Sequence, residues 1–294
     1  MFTFPKNRLS QKVPLAIALL FCLMLLLLVV ASMIILAVGD KFTNLVAGLR
    51  ICTVIQDLLV FIIPAIAVAM LSTRFPASLL AVDKLPDFRM TVLAIVALLL
   101  SLPAMNLIIE WNQNISLPES LKSIEEQMRN MEQSAEASIK LLLGGSNIAG
   151  LIVNILIVGV LAGLSEELFF RGALQRLLTS GGIMPHLMIW VTAFIFSAFH
   201  LQFFGFVPRM LLGAFFGYLL WWSGSLWLPI LLHSLNNSIV VIAEWVNENQ
   251  VDATDINKIG VSEGTTPDII LVALSVLLTA AAIFLISRRS KQIS

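Results

Sequence analysis

Residues 15–38 read LAIALLFCLMLLLLVVASMIILAV, 24 residues without a charge. A helix crosses a bilayer with about 20 predominantly apolar residues, so this run predicts a transmembrane helix. It follows Lys6, Arg8 and Lys12, and Ala37-Val38-Gly39 resembles a small-residue cleavage site. The run exceeds the roughly 7–15 residues of a signal-peptide core, and on length we expect a retained first span. Seven more apolar stretches follow, near residues 53–72, 89–110, 147–178, 184–203, 207–222, 226–246 and 268–287. The expected fold class is therefore all-α: a polytopic membrane protein, a bundle of about eight transmembrane helices. The fourth stretch is too long for one crossing and is expected to tilt, protrude or break near Gly159 or Gly163.

Composition agrees. Of 294 residues, 59% are hydrophobic and 12% charged, half the ~25% of a soluble domain. Eighteen basic and eighteen acidic residues balance, which leaves no electrostatic footprint for nucleic acid. Cys22 and Cys52 make no disulfide framework and read as small buried or lipid-facing hydrophobes.

Three regions are expected: a three-span N-terminal region, 1–146; a core of spans, 147–246; and an acidic loop, last span and basic tail, 247–294. With the N-terminus inside, eleven of the eighteen Lys and Arg fall on inner segments, so the positive-inside rule places both termini in the cytoplasm, and a bacterial cytoplasmic membrane is the expected location. Between the third and fourth spans, Leu121, Ile124, Met128, Met131, Ala135 and Ile139 recur at helical spacing and predict an amphipathic extramembrane helix near 117–143. Ser116 with Glu119 reads as its capping box and Gly144-Gly145 as its stop. It is either a lid on the membrane surface or a solvated connector packed on the loops, and the connector is favoured.

Ionisable residues inside spans are costly, at roughly 2.5–3.5 kcal/mol on insertion scales, and usually face the bundle interior. The densest group is Leu164-Ser165-Glu166-Glu167-Leu168-Phe169-Phe170-Arg171-Gly172. Glu167 and Arg171, four apart, share a helix face and can pair, while Glu166 points about 100° away. Adjacent buried carboxylates do not both ionise cheaply, so pairing Glu167 with Arg171 frees Glu166 to act as acid or base. His200 follows in the fifth span. His233 and Asn237, four apart, share a face of the seventh. Counted from the intervening turns at about 1.5 Å per residue, these side chains reach similar depths. Asp57, Glu110 and His186 are read as interfacial or structural.

A carboxylate and a histidine activate water between them, and a histidine with an asparagine one turn on can hydrogen-bond a developing oxyanion. This suits amide hydrolysis with Glu166 and His200 as base and His233 and Asn237 as oxyanion donors. No Gly-x-Ser-x-Gly elbow is present and neither cysteine lies near the layer, which disfavours a covalent nucleophile. A metal reading also fits, with Glu166, His200 and His233 as zinc ligands, although the His-Glu-x-x-His motif is absent. No cofactor is expected to be required; Zn2+ is the alternative.

Glu166-Glu167-x-x-x-Arg171, Phe196-x-x-x-His200 and His233-x-x-x-Asn237 resemble, in order and spacing, the three motifs of the CPBP family. These are the type II CAAX prenyl endopeptidases and bacteriocin-processing or self-immunity proteins, also called Abi. The resemblance spans roughly 160–240. It implies an eight-helix intramembrane endopeptidase in which Glu166 and His200 activate water, His233 and Asn237 stabilise the oxyanion, and Glu167 and Arg171 support the site. The expected partners are the membrane and a peptide or protein substrate, lipidated or not. A non-catalytic membrane scaffold or bacteriocin-immunity factor is the alternative, and a transporter is disfavoured by the lack of an internal repeat.

Overall fold

The structure, a computed structural model, describes residues 13–39, 44–144, 147–182, 184–249, 259–261 and 266–293. Lys6, Arg8, Lys12, Lys41, Gly145 and most of the acidic loop before the last span lie outside them. The described residues are helical, with no strand among them.

Ten long helices organise the described residues: α1 Val13–Gly39, α2 Leu45–Ser72, α3 Phe88–Leu100, α4 Leu102–Gln113, α5 Lys122–Leu143, α6 Ile148–Ser180, α7 Pro185–Phe199, α8 Phe206–Ser223, α9 Trp227–Glu248 and α10 Thr266–Ile293. Among the described residues five helical stretches are long and apolar enough to cross a membrane, and six if the bent α3–α4 pair is one span. The eight expected stretches are each mostly helical, but α7 has only 15 residues and α9 is not among the qualifying helices. The polar residues that draw attention to α9 are the ones that lower its hydropathy.

Many large apolar side chains are exposed, among them Leu25, Leu26 and Leu36 on α1 and Leu274, Leu277 and Leu278 on α10. Such a surface is expensive in water and natural against lipid. The interior centres on Phe169 and Phe170 of α6, with Phe61 and Phe196 edge-on to one or the other. This edge-to-face geometry is favoured by the ring quadrupole.

Three local departures from α geometry bear on the site. The first is in α2, where Asp57–Ile62 is π-helical. The others are in α6, where Ile155–Leu161 and Leu168–Gln175 are π-helical. So α6 runs unbroken for 33 residues, and of the expected tilt, protrusion or break near Gly159 or Gly163, the break is absent. The glycines serve close packing instead. A Cβ on Gly163 would meet the backbone nitrogen of Ser234 at 2.9 Å, and one on Gly159 would collide with Ser238 Oγ. Small residues four apart let α6 and α9 approach closely, the usual device of helix pairs in lipid.

The 47° bend between α3 and α4 has a cause in sequence. Pro103 lacks an N–H and kinks the helix. Ser275 of α10 takes up the freed groups: its Oγ donates to Leu100 O (2.6 Å) and accepts from Ala104 N (3.2 Å).

The amphipathic helix starts later than expected. Ser116 does not cap it; a short 3-10 turn, Glu119–Leu121, precedes α5. Glu125 reaches back instead and accepts from Leu117 N at 2.8 Å. Gly144 ends the helix as expected. The face of α5 that carries Arg129 and Glu132 docks on the loop after α7: Phe204 N donates to Glu132 Oε2 (3.1 Å) and the Arg129 guanidinium lies 4.0 Å from the Phe204 ring centre. Burial pushes the Glu132 carboxyl above its usual range.

Candidate active site

The polar layer is assembled from α2, α6, α7, α8 and α9. Glu167 and Arg171 are fully buried and paired, with Arg171 Nη1 donating to Glu167 Oε1 at 2.7 Å. Arg171 Nη2 donates to Gly213 O at 3.0 Å, and its guanidinium lies 4.3 Å from the centre of the Phe196 ring. One turn on, Gln175 Nε2 donates to Gly217 O at 3.1 Å. Residues four apart on α6 thus grip carbonyls four apart on α8. Glycine leaves room for the grip, since a Cβ on Gly213 would meet Arg171 Nη2 at 3.0 Å and one on Gly217 would meet Gln175 Oε1 at 2.6 Å.

His233 joins this pair. Its Nδ1 lies 2.8 Å from the same Glu167 Oε1, and its Nε2 faces Glu166 Oε2 at 3.7 Å, beyond a direct hydrogen bond. The ring stacks on Phe216, with centroids 5.0 Å apart. Glu166 keeps 17% of its side chain exposed while Glu167 keeps none, so of the two adjacent carboxylates Glu166 is the accessible one.

His200 sits just past the last residue of α7. Its Nδ1 lies 3.0 Å from Phe196 O. A carbonyl only accepts, so Nδ1 carries the hydrogen and Nε2 of the neutral ring is left as an acceptor. The Phe196 ring lies between the two histidines, with centroids 5.1 Å from His200 and 5.9 Å from His233. Leu201, directly after His200, has φ +53°, a strained conformation for a branched side chain, of the kind found at functional sites.

Asn237 is one turn beyond His233 on α9. Its Nδ2 donates to Val158 O at 3.3 Å, in a π-helical stretch of α6. The structure therefore puts Glu166, Glu167, Arg171 and His233 in one contiguous group, brings His200 beside it through Phe196, and turns Asn237 toward the α6 backbone.

One residue is placed differently from expectation. Asp57 belongs to the layer, not to a span end. Residues 45–52 continue the helix, because Leu45, Val46 and Ile51 offset the single charge of Arg50, so Asp57 falls well inside α2. It is buried, and Ser165 Oγ donates to its Oδ1 at 3.0 Å. The signal was available as a lone carboxylate amid Leu58, Leu59 and Val60, once the span is read as starting earlier. His186 and Glu110 stay outside: His186 meets Tyr218 at the start of α7, and Glu110 is exposed near the end of α4.

Glu166 and two imidazoles with free Nε2 edges are a donor set that zinc accepts. Yet among the described residues no three His, Cys, Asp or Glu side chains are grouped closely enough to hold a metal ion, so this arrangement as it stands does not fit the ion.

No curated protein and no solved structure matches the chain. The segment that supplies every residue of the contiguous group matches a family model: residues 148–239 match the family described as type II CAAX prenyl endopeptidase Rce1-like, in agreement with the resemblance read from the three motifs, and this multi-pass membrane protein carries an Rce1-like segment at its polar layer.

Proposed function

We propose that the protein is an intramembrane endopeptidase that hydrolyses a peptide bond of a membrane-associated substrate, lipidated or not, by metal-free activation of water. The observation that carries the reading is the Rce1-like match over the segment in which Glu166, Glu167, Arg171 and His233 touch.

Glu166, with the accessible carboxylate, takes the proton of the attacking water and returns it to the leaving amine as the peptide C–N bond breaks, and His200 helps with its acceptor Nε2. His233 Nε2 donates to the oxyanion while its Nδ1 is seated on Glu167 Oε1, and Asn237 Nδ2 swings from Val158 O to share that role. Arg171 balances the charge of Glu167 and locks it against α8. In this reading α7 and α9 complete a bundle of eight membrane helices with both termini cytoplasmic. The short α7 ends within the bilayer, which puts His200 at a helix end inside the layer.

The test is cleavage of a membrane-anchored reporter peptide by purified protein in lipid. Wild type is expected to cleave, and Glu166→Ala and His200→Ala are each expected to lose activity. If both variants cleave at the wild-type rate, the assignment is wrong. Elemental analysis and chelation complete the test: activity that vanishes on removal of a stoichiometric zinc would replace the metal-free mechanism.

A further inference from the structure

The chemistry above leaves Asp57 unused, although it is the costliest side chain in α2. It is 6% exposed. Its Oδ2 is buried without a hydrogen-bond partner, and among the described residues no Lys or Arg makes an ion pair with it. A carboxyl inside a span without a cation marks function more often than packing. Among the described residues its one side-chain hydrogen bond is specific. Ser165 Oγ lies 3.0 Å from Asp57 Oδ1 and 3.0 Å from Ala162 O, and Ser165 directly precedes Glu166.

The turn Ala162–Glu167 is thus held on two sides. Gly163 lies flush against the Ser234 backbone of α9, and Ser165 is tied to Asp57 of α2. Between these contacts the height and rotation of the turn are fixed, and with them the direction of Glu166. Asp57 also opens the π-helical stretch of α2 and comes from outside the family-matched residues 148–239.

We propose that Asp57 is a positioning residue: through Ser165 it aims the Glu166 carboxylate at the reacting centre. The proposal rests on the endopeptidase reading. Its test measures kcat and KM of the full-length protein on the reporter peptide for wild type, Glu166→Gln, Asp57→Ala, Asp57→Asn, Ser165→Ala and the Asp57→Ala/Ser165→Ala double variant. Misplacing a catalytic group by a fraction of an ångström costs rate, not affinity, so Asp57→Ala and Ser165→Ala are each expected to lower kcat roughly tenfold or more, with KM unchanged. The double variant is expected to fall no further than the worse single, since both act through one contact. Asp57→Asn is expected to recover most of the loss, because its amide oxygen accepts the same bond from Ser165. If Asp57→Ala does not fold, Ser165→Ala, which leaves Asp57 in place, carries the comparison.

A wild-type kcat in Asp57→Ala or Ser165→Ala, a loss confined to KM, or single effects that multiply in the double variant would each overturn the proposal. Should that happen while Glu166→Gln is dead, only the role of Asp57 falls. If the wild type does not cleave, or Glu166→Gln cleaves like it, the endopeptidase reading fails and this inference fails with it.

Discussion

His233 Nδ1 and Arg171 Nη1 converge on a single oxygen, Glu167 Oε1, at 2.8 and 2.7 Å. The other carboxylate oxygen of Glu167 is buried and unpartnered. Glu167 is thus the joint between α6 and α9, and Arg171 carries the joint on to α8 through Gly213 O.

Breaking that joint leaves a buried charge without its partner. Removing one member of a fully buried pair costs about 3–5 kcal/mol, so Arg171→Ala and Glu167→Ala are each expected to lower unfolding stability in detergent by that order. Replacing both at once removes the stranded charge, so the double variant is expected to lose less than the two single losses combined. Additive losses would mean that the two side chains act independently.

The two nitrogens of His233 have separate partners and can be separated by mutation. Asn places an amide near Nδ1 and keeps the bond to Glu167; Gln places one near Nε2 and abandons it. His233→Asn is expected to fold close to wild type and to lose roughly 10²–10³-fold in kcat, the usual cost of one oxyanion donor. His233→Gln is expected to be the less stable of the two. The reverse order in thermal melts would contradict the Nδ1–Glu167 assignment.

The glycines of α6 give a graded test of packing. Alanine at 159 collides with Ser238 Oγ, the end of a side chain that can turn away. Alanine at 163 collides with the Ser234 backbone, which cannot. Gly163→Ala is expected to cost roughly 1–3 kcal/mol, as overpacking does, and Gly159→Ala less. Equal effects on thermal stability would refute the argument that α9 backbone lies against Gly163.

Much of this arrangement is legible in the sequence because the membrane makes polar residues conspicuous. The Glu167–Arg171 pair follows from spacing alone, as does the shared face of His233 and Asn237. What stays hidden is tertiary. Nothing in His233-x-x-x-Asn237 says that His233 Nδ1 binds Glu167 or that Asn237 turns to Val158 O, because those distances depend on how closely α6 and α9 approach. Asp57 is misplaced at a span end when hydropathy alone sets the boundary, since the charge of Arg50 starts the apolar run at 53 and hides the helix before it. The length of α6 suggests a break, yet its backbone takes up the polar layer in π-helical stretches, which sequence does not announce.

Outside the membrane core, Asp87 caps α3 by accepting from Met90 N and holds Arg289 of α10 at 2.7 and 3.2 Å. The bond from Arg289, helped by the capping bond, lowers the Asp87 carboxyl from 3.8 to about 2. A carboxyl lowered on folding stabilises the protein above its unfolded value, and the contribution fades as pH falls through the folded one. The stability difference between wild type and Asp87→Asn is therefore expected to be constant above about pH 4 and to shrink toward pH 2. It is also expected to weaken at high salt, because the pair is partly exposed. Melting curves at stepped pH decide it; a difference that grows on acidification would assign the contact the wrong sign.

The bend between α3 and α4 tests whether a backbone opened in lipid must be closed by a side chain. Ser275 Oγ serves both sides of the break, donating to Leu100 O and accepting from Ala104 N, and it is 4% exposed. No water competes for those groups in a bilayer, so the bent pair depends on a neighbour for its hydrogen bonds. Ser275→Ala keeps the packing volume and removes both bonds. It is expected to cost about 1–3 kcal/mol, the penalty of stranding buried polar groups, and to speed amide exchange around residues 100–104. Ser275→Thr keeps the hydroxyl and is expected to stay closer to wild type. Unchanged exchange in Ser275→Ala would mean that the bend is closed by groups other than Ser275.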